Sequence, residues 1–367
     1  MKIICQKSDL QKSVNISLRA VPVRSTLPIL ECILIDASTN TIRMISNDTD
    51  MGIETILRGD IVDKGIIAIN AKMFAEVVRK LPDSEVTIET DYNMNVVFLC
   101  DKSRVMIPGQ AGDDFTDLPV VERDESIEIS QFTLRQIISQ TLFSIASNEN
   151  NKLMTGELFE IKGDMLRVVA LDGHRISMRR VTLKEEYPDR KVIVPGKTLG
   201  EISKILNGEI EDMVRIYTTR NHILFELQDT TVVSRLIEGE YFAVDQMISR
   251  DYETKVKVRK QSLFSCIDRA TLFVKEGDKK PIILDFNGDN LNLSIDSPLG
   301  AMSEDIDIEK EGRNLMIGFN PRFMMDALKV IEDEVVTLYL TNSKSPCFMR
   351  NEENTYTYLV LPVNFMR

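Results

Sequence analysis

At 367 residues the chain exceeds what one hydrophobic core ordinarily holds, and it suits three domains of about 120 residues each. A composition of 43% hydrophobic and 28% charged residues excludes the disordered and fibrous classes. No run approaches the roughly 18 apolar residues of a membrane helix, so a cytoplasmic protein is expected, without a secretory signal. The net charge of −12 opposes a phosphate-bearing partner unless that charge is unevenly spread.

In chain order, the strand Ile3–Cys5 leads into a helix over Ser8–Val21. The β-like run Ile66–Asn70 then leads into an amphipathic helix over Ala71–Leu81, on which Phe74, Val77, Val78 and Leu81 form the apolar side. The same pair recurs: Ile127–Ile129 precedes a helix over Gln131–Ala146, and Val192–Pro195 precedes one over Gly196–Leu206. It recurs once more, with Val256–Val258 before Lys260–Phe273 and Met316–Phe319 before Pro321–Ile331. Between the helices, period-2 segments such as Leu166–Leu171 and Leu291–Ile295 read as antiparallel strands. The fold class is therefore α+β, with three repeated domains of two helices on antiparallel sheet, at residues 1–125, 126–250 and 251–367.

Lys72, Lys197 and Arg322 stand 125 residues apart. In each copy an acid follows four positions later (Glu76, Glu201, Asp326) and a second base seven positions later (Arg79, Lys204, Lys329). That spacing puts all three on one helix face. The six helices hold 12 bases and 5 acids, a net of +7 that leaves −19 on the remainder. Basic helices on an acidic body suit contact with phosphates without sequence preference. The absence of tryptophan argues against stacking on single strands.

No catalytic constellation is nominated. Gly196-Lys197-Thr198 resembles the end of a phosphate-binding loop, but Lys191 stands where that loop needs glycine. The five cysteines have no metal-ligand spacing and read as buried free thiols; no cofactor or metal is expected. Asp48, Asp172 and Asp296 read as one shared turn residue, whereas Gly173, His174 and Arg175 occur in the second copy alone.

Several separated stretches resemble one family, the beta subunit of bacterial DNA polymerase III. They are Arg24–Leu30, Asp172–Arg175, Val192–Pro195, Gly318–Asn320 and Leu359–Val363. The resemblance implies the DNA clamp fold: a head-to-tail homodimer closing into a ring around double-stranded DNA, not an enzyme, that tethers polymerase and serves as its processivity factor. The replicative polymerase, a clamp loader and other replication and repair proteins are the implied partners, through short linear peptides. The implied peptide pocket comprises Met154, Leu171, Gly173, His174, Arg175, Ile176, Phe242, Met247, Asn320, Phe323, Pro346, Val360, Leu361, Pro362 and Val363. Implied DNA contacts are Arg24, Lys72, Glu149, Lys152, Leu153 and Lys197, to which the helix pattern adds Arg79, Lys204, Arg322 and Lys329. Val105 and Ile107 would meet Leu272 and Phe273 of a second copy. Leu171, Phe242 and Asn364 depart from the family's usual residues at the pocket. A peptide-binding scaffold unrelated to DNA and an enzyme with an unrecognised site are the competing readings.

Overall fold

The computed structural model describes residues 1–148, 150–275 and 280–365. Among them are six α-helices: α1 (Lys7–Ser17), α2 (Ala71–Lys80), α3 (Gln131–Thr141), α4 (Gly196–Ile205), α5 (Lys260–Thr271) and α6 (Pro321–Val330). They fall where the repeat pattern predicts. α1 and α3 stop earlier than periodicity alone suggests, because single 3-10 turns, Leu18–Ala20 and Leu142–Ser144, take over the chain. The cause of two starts is local: Asn70 Oδ1 accepts from Met73 N at 3.0 Å, and Asn320 Oδ1 accepts from Arg322 N at 3.0 Å. Each asparagine satisfies an N–H group that has no partner within the helix.

The chain forms two compact units, residues 1–133 with 201–236, and residues 134–200 with 237–367. Each unit thus takes one whole repeat and part of the middle one. In the first unit a single antiparallel sheet runs from Ser126–Ser130 through Met213–Thr218, His222–Leu227 and Thr230–Arg235 to Met51–Leu57, and on into the first repeat's strands. The seam between repeats is the pairing of Thr230–Ser234 with Met51–Thr55. In the second unit the long hairpin Gly156–Leu171 and Arg175–Pro195 joins the third repeat's sheet, through Arg175–Arg179 paired with Tyr356–Val360.

Each whole repeat has its own core. Leu10 and Val14 of α1 and Phe74 and Val78 of α2 pack on Ile3, Ile33, Ile88 and Phe98 of the sheet. In the third repeat Leu263, Ile267 and Ala270 of α5 and Met324 and Leu328 of α6 pack on Val256, Leu284, Phe286 and Leu338. Fully burying one such side chain stabilises by about 1.5–3 kcal/mol. All five cysteines are buried free thiols. Among the described residues no helix is long and apolar enough to cross a membrane, and no cluster of metal-ligating side chains occurs.

The shared turn needs one correction. Asp48 Oδ1 accepts from Met51 N, and Asp172 Oδ1 accepts from His174 N and Arg175 N. In the third copy, Asp296 pairs within the ladder opposite Ala301, and Ser297 Oγ accepts from Leu299 N instead. The third turn is therefore one residue further along, and Ser297, not Asp296, closes it.

Candidate nucleic-acid and peptide interfaces

On all three second helices the acid pairs with the base one turn on. Arg79 meets Glu76, Lys204 meets Glu201 at 2.8 Å, and Lys329 lies 4.0 Å from Asp326. These pairs are mostly exposed and worth a few tenths of a kcal/mol each, so they orient the bases more than they stabilise the fold. Lys72, Lys197 and Arg322, at the start of the same helices, are exposed. Arg24 lies on the exposed loop after α1, and Lys152 is exposed on the 3-10 turn Lys152–Thr155, capped by Asn151. Leu153 is half-buried: a Cβ at Gly239 would lie 2.8 Å from its Cδ2, so it is packed against that chain segment. Glu149 lies outside the described residues.

The candidate peptide pocket is built on one face of the second unit's sheet. Strand register lines up Leu171 with Ile176, Ile176 with Leu359, Leu359 with Phe348, and Phe348 with Tyr339. The result is an apolar row across neighbouring strands, extended by Leu158, Val169, Met178 and Val244 and flanked by Met154, Tyr241 and Phe242. Tyr241 stacks edge-on against Phe242 at 5.6 Å. Gly173 and His174 are exposed in the turn between the hairpin strands, Met247 is 45% exposed just after the 3-10 turn Val244–Gln246, and Leu361 is 39% exposed just after Tyr356–Val360.

Val360 does not share this face. Alternation along the strand turns it to the opposite side, where it pairs with Arg175 and Cys347 and is fully buried in the third repeat's core. Leu359 takes the place on the apolar row. Asn320, whose side-chain oxygen is held in the α6 cap, and half-buried Pro346, Pro362 and Val363 lie around the strand ends. The carboxyl-terminal segment is tied down by Leu361 N donating to His174 O at 2.9 Å and Val363 N to Gly318 O at 2.8 Å.

Arg175, expected as a pocket residue, points to the helix side. Its Nε donates to Asp172 at 2.9 Å, Nη1 to Asp326 at 2.7 Å and Nη2 to the Phe143 carbonyl at 2.6 Å. Its guanidinium also lies over the Phe323 ring, 4.3 Å from the centroid, and the His174 ring stacks with Phe323 at 6.1 Å between centroids. Burial works against this charge, but Tyr358, Asp326 and Asp172 outweigh it and hold the pKa above the ordinary arginine value. One side chain thus fastens the turn at 172–175, the end of the α3 segment and helix α6. The pairing is invisible to spacing, because its members are far apart in sequence. Leu158, Phe348 and Tyr339 also belong to this face; their only sequence signal is period-2 alternation, which does not say which strands are neighbours, and Val244, on the 3-10 turn Val244–Gln246, carries no such signal.

At the expected subunit contact the two sides differ. Along Ser103–Gln110 the side chains of Val105 and Ile107 turn toward the first repeat's own core, while Arg104, Met106 and Pro108 are exposed. Leu272 is 74% exposed, whereas Phe273 packs against the third core and beneath Gly300.

Residues 1–119 match the DNA polymerase III beta subunit N-terminal domain, residues 128–242 its central domain and residues 245–364 its C-terminal domain. A crystal structure of a putative DNA polymerase III beta subunit from Eubacterium rectale is similar at 59% identity and TM-score 0.96, covering 100% of this chain and 99% of that one. The DNA polymerase sliding clamp of Bacillus subtilis is similar at 32% identity and TM-score 0.95, with 100% of both chains covered. The beta sliding clamp of Staphylococcus epidermidis is 30% identical over 374 aligned residues, 99% of each chain. With all three domains matched in order, the chain belongs to the DNA polymerase III beta subunit family, the beta sliding clamps.

Proposed function

We propose that two copies of this chain close head to tail into a ring around duplex DNA, with the basic helix faces toward the phosphates, and that peptides of polymerase and other replication proteins dock over the buried apolar row, beside exposed Gly173, His174, Met247 and Leu361. As a beta sliding clamp the chain is a polymerase processivity factor. The observation that carries the ring is a pair of unused strand edges. Both seams between repeats pair a late strand of one repeat with the strand around the turn of the preceding one: Thr230–Ser234 with Met51–Thr55, and Tyr356–Val360 with Arg175–Arg179. The remaining members of that series are Ser103–Pro108 in the first repeat and Gly300–Asp307 in the third. Each is paired on one side only among the described residues, with Asn95–Cys100 and Asn290–Ser297 respectively. Exposed edges are templates for another chain. A groove lined by Gln261, Arg269 and Glu304–Glu309 runs along the second of them.

The same reading explains the charge. A weakly attractive basic lining holds duplex without reading sequence, and topology rather than affinity retains it. Direct binding through six or more phosphate contacts would weaken about a thousandfold between 50 and 200 mM salt. A closed ring loaded on nicked circular plasmid should instead stay bound through such a wash, and should slide off once the plasmid is cut. Gel filtration of circular and linear complexes at one salt concentration measures the difference; equal retention on both would refute encirclement.

A further inference from the structure

The sheet face that carries the apolar row also carries a set of arginines. One step along the strands from the row, Val169 stands opposite Met178, Met178 opposite Thr357 and Thr357 opposite Arg350; one step further, Arg167 stands opposite Arg180. At about 3.3 Å per residue, the Arg350 backbone lies roughly 7 Å from the row and that of Arg180 roughly 13 Å. The Arg350 guanidinium lies over the rings of Tyr339 and Phe348, 5.0 and 5.2 Å from their centroids, and its Nη2 donates to Ser249 O at 2.6 Å. That bond brings the exposed neighbour of Ser249, Arg250, to the same part of the molecule.

The acids at this place are already engaged. Glu160 and Asp245 both pair with Arg167, and Glu160 also holds Lys191 at 3.0 Å. Among the described residues no carboxylate stands at ion-pair distance from Arg180 or Arg250. Arg180 is half-buried, and burial together with the charges of Arg167 and Arg250 holds its pKa below the ordinary arginine value. Burial and Arg250 act on Arg350 in the same direction. In a chain of net charge −12, this local excess of partly desolvated positive charge is the reverse of what the composition would scatter there.

The side of the sheet narrows the choice of anion. Alternation turns Tyr356, Tyr358 and Val360 into the core beneath α5 and α6, and turns Arg180 and Arg350 to the opposite face, away from the helices that bear Arg322 and Lys329. The phosphates of a duplex lying against those helices are therefore on the other side of the sheet. We infer that Arg180, Arg250 and Arg350 form a carboxylate-binding surface that takes an acidic stretch of the partner peptide docked over the neighbouring apolar row. An extended peptide covers the distance from the row to Arg180 in about four residues. The inference rests on the peptide docking proposed above, and adds to it a preference for acidic side chains beside the apolar anchor.

The test uses a fluorescent polymerase-derived peptide extended at either end by four glutamates or by four glutamines. By anisotropy at low salt, one of the two glutamate-extended peptides should bind roughly three- to tenfold more tightly than its glutamine counterpart, the scale of two or three exposed ion pairs. The Arg180→Gln, Arg250→Gln double variant should lose that advantage and keep its affinity for the glutamine-extended peptides, which also shows that it is folded. Equal affinity for glutamate and glutamine extensions at both ends would overturn the inference, and so would an advantage that survives in the double variant. A single-stranded oligonucleotide whose binding falls in the double variant, with no advantage for glutamate, would assign the surface to nucleic acid instead. Failure of every peptide to bind the wild-type chain would overturn the docking reading itself.

Discussion

Arg175 and Asp326 stand 151 residues apart in the chain, yet Nη1 of one donates to Oδ2 of the other at 2.7 Å. The arginine is nearly buried and the acid is about two-thirds covered. Removing one member therefore strands a desolvated charge, at a cost that can reach about 3–5 kcal/mol.

Arg175→Ala should accordingly lower the free energy of unfolding by several kcal/mol and weaken binding of polymerase-derived peptides at least tenfold, because the turn bearing His174 and the ring of Phe323 lose their common support. Arg175→Lys should recover little of either. An ammonium cannot serve Asp172, Asp326 and the Phe143 carbonyl at once as the planar fork does. Urea titration and peptide fluorescence anisotropy read the two effects; a lysine variant with wild-type peptide affinity would show that charge alone suffices.

The alternation at the carboxyl-terminal strand separates two neighbouring residues. Leu359→Ala should weaken peptide binding, because Leu359 lies in the apolar row between Ile176 and Phe348. Val360→Ala should cost about 1–3 kcal/mol of stability through the cavity it leaves, with peptide affinity kept. Truncation after Val360 should abolish peptide binding and spare the core. The opposite pattern in the two point variants would place the pocket on the other face.

Leu272 and Phe273 should also part company. Leu272→Asp puts a charge on an open apolar position and should yield folded monomers, since a charge left unpaired in a desolvated contact costs about 2–5 kcal/mol. Phe273→Asp should instead unfold the third repeat, because its ring packs on the core and under Gly300. Sedimentation and near-ultraviolet circular dichroism distinguish dissociation from unfolding. A Leu272→Asp protein that still sediments as a dimer would place the contact elsewhere.

Glu157 sets a pH dependence. Thr141 Oγ1 lies 2.8 Å from Ile137 O and 3.0 Å from Glu157 Oε2, and a hydroxyl has one proton to give. If it goes to the carbonyl, which can only accept, the carboxyl must be protonated and donate to Thr141. Burial pushes this carboxyl up to about 8 from an ordinary 4.5. Between those values the unfolded chain ionises Glu157 and the folded one does not, so stability falls as pH rises from about 4.5 to 8 and levels off above. Glu157→Gln keeps a donor without the charge. It should leave stability unchanged near pH 4 and raise it by a few kcal/mol at pH 8–9, on the scale of about 1.4 kcal/mol per pH unit. Thermal melts across that range check it; a variant that is destabilised equally at every pH would mean the group is ionised in the fold.

The threefold repeat, the helix positions and the base–acid–base rows were legible in the sequence, because helical periodicity and a 125-residue interval are local or counting properties. The third turn lies one residue beyond the sequence expectation because serine can close a turn as aspartate does, if more weakly, and only the ladder opposite Ala301 decides between them. Strand alternation says that Leu359 and Val360 face opposite ways; it does not say which face meets the core. That was decided by packing α5 and α6 against one side of the third repeat's sheet, which committed Val360 to the interior and left Leu359 for the apolar row. Tertiary structure alone joined Arg175 to Asp326 and Glu201 to Arg19. Such pairs come from which strands of successive repeats share a seam, and hydrogen bonding across a seam leaves no period in the sequence of either strand.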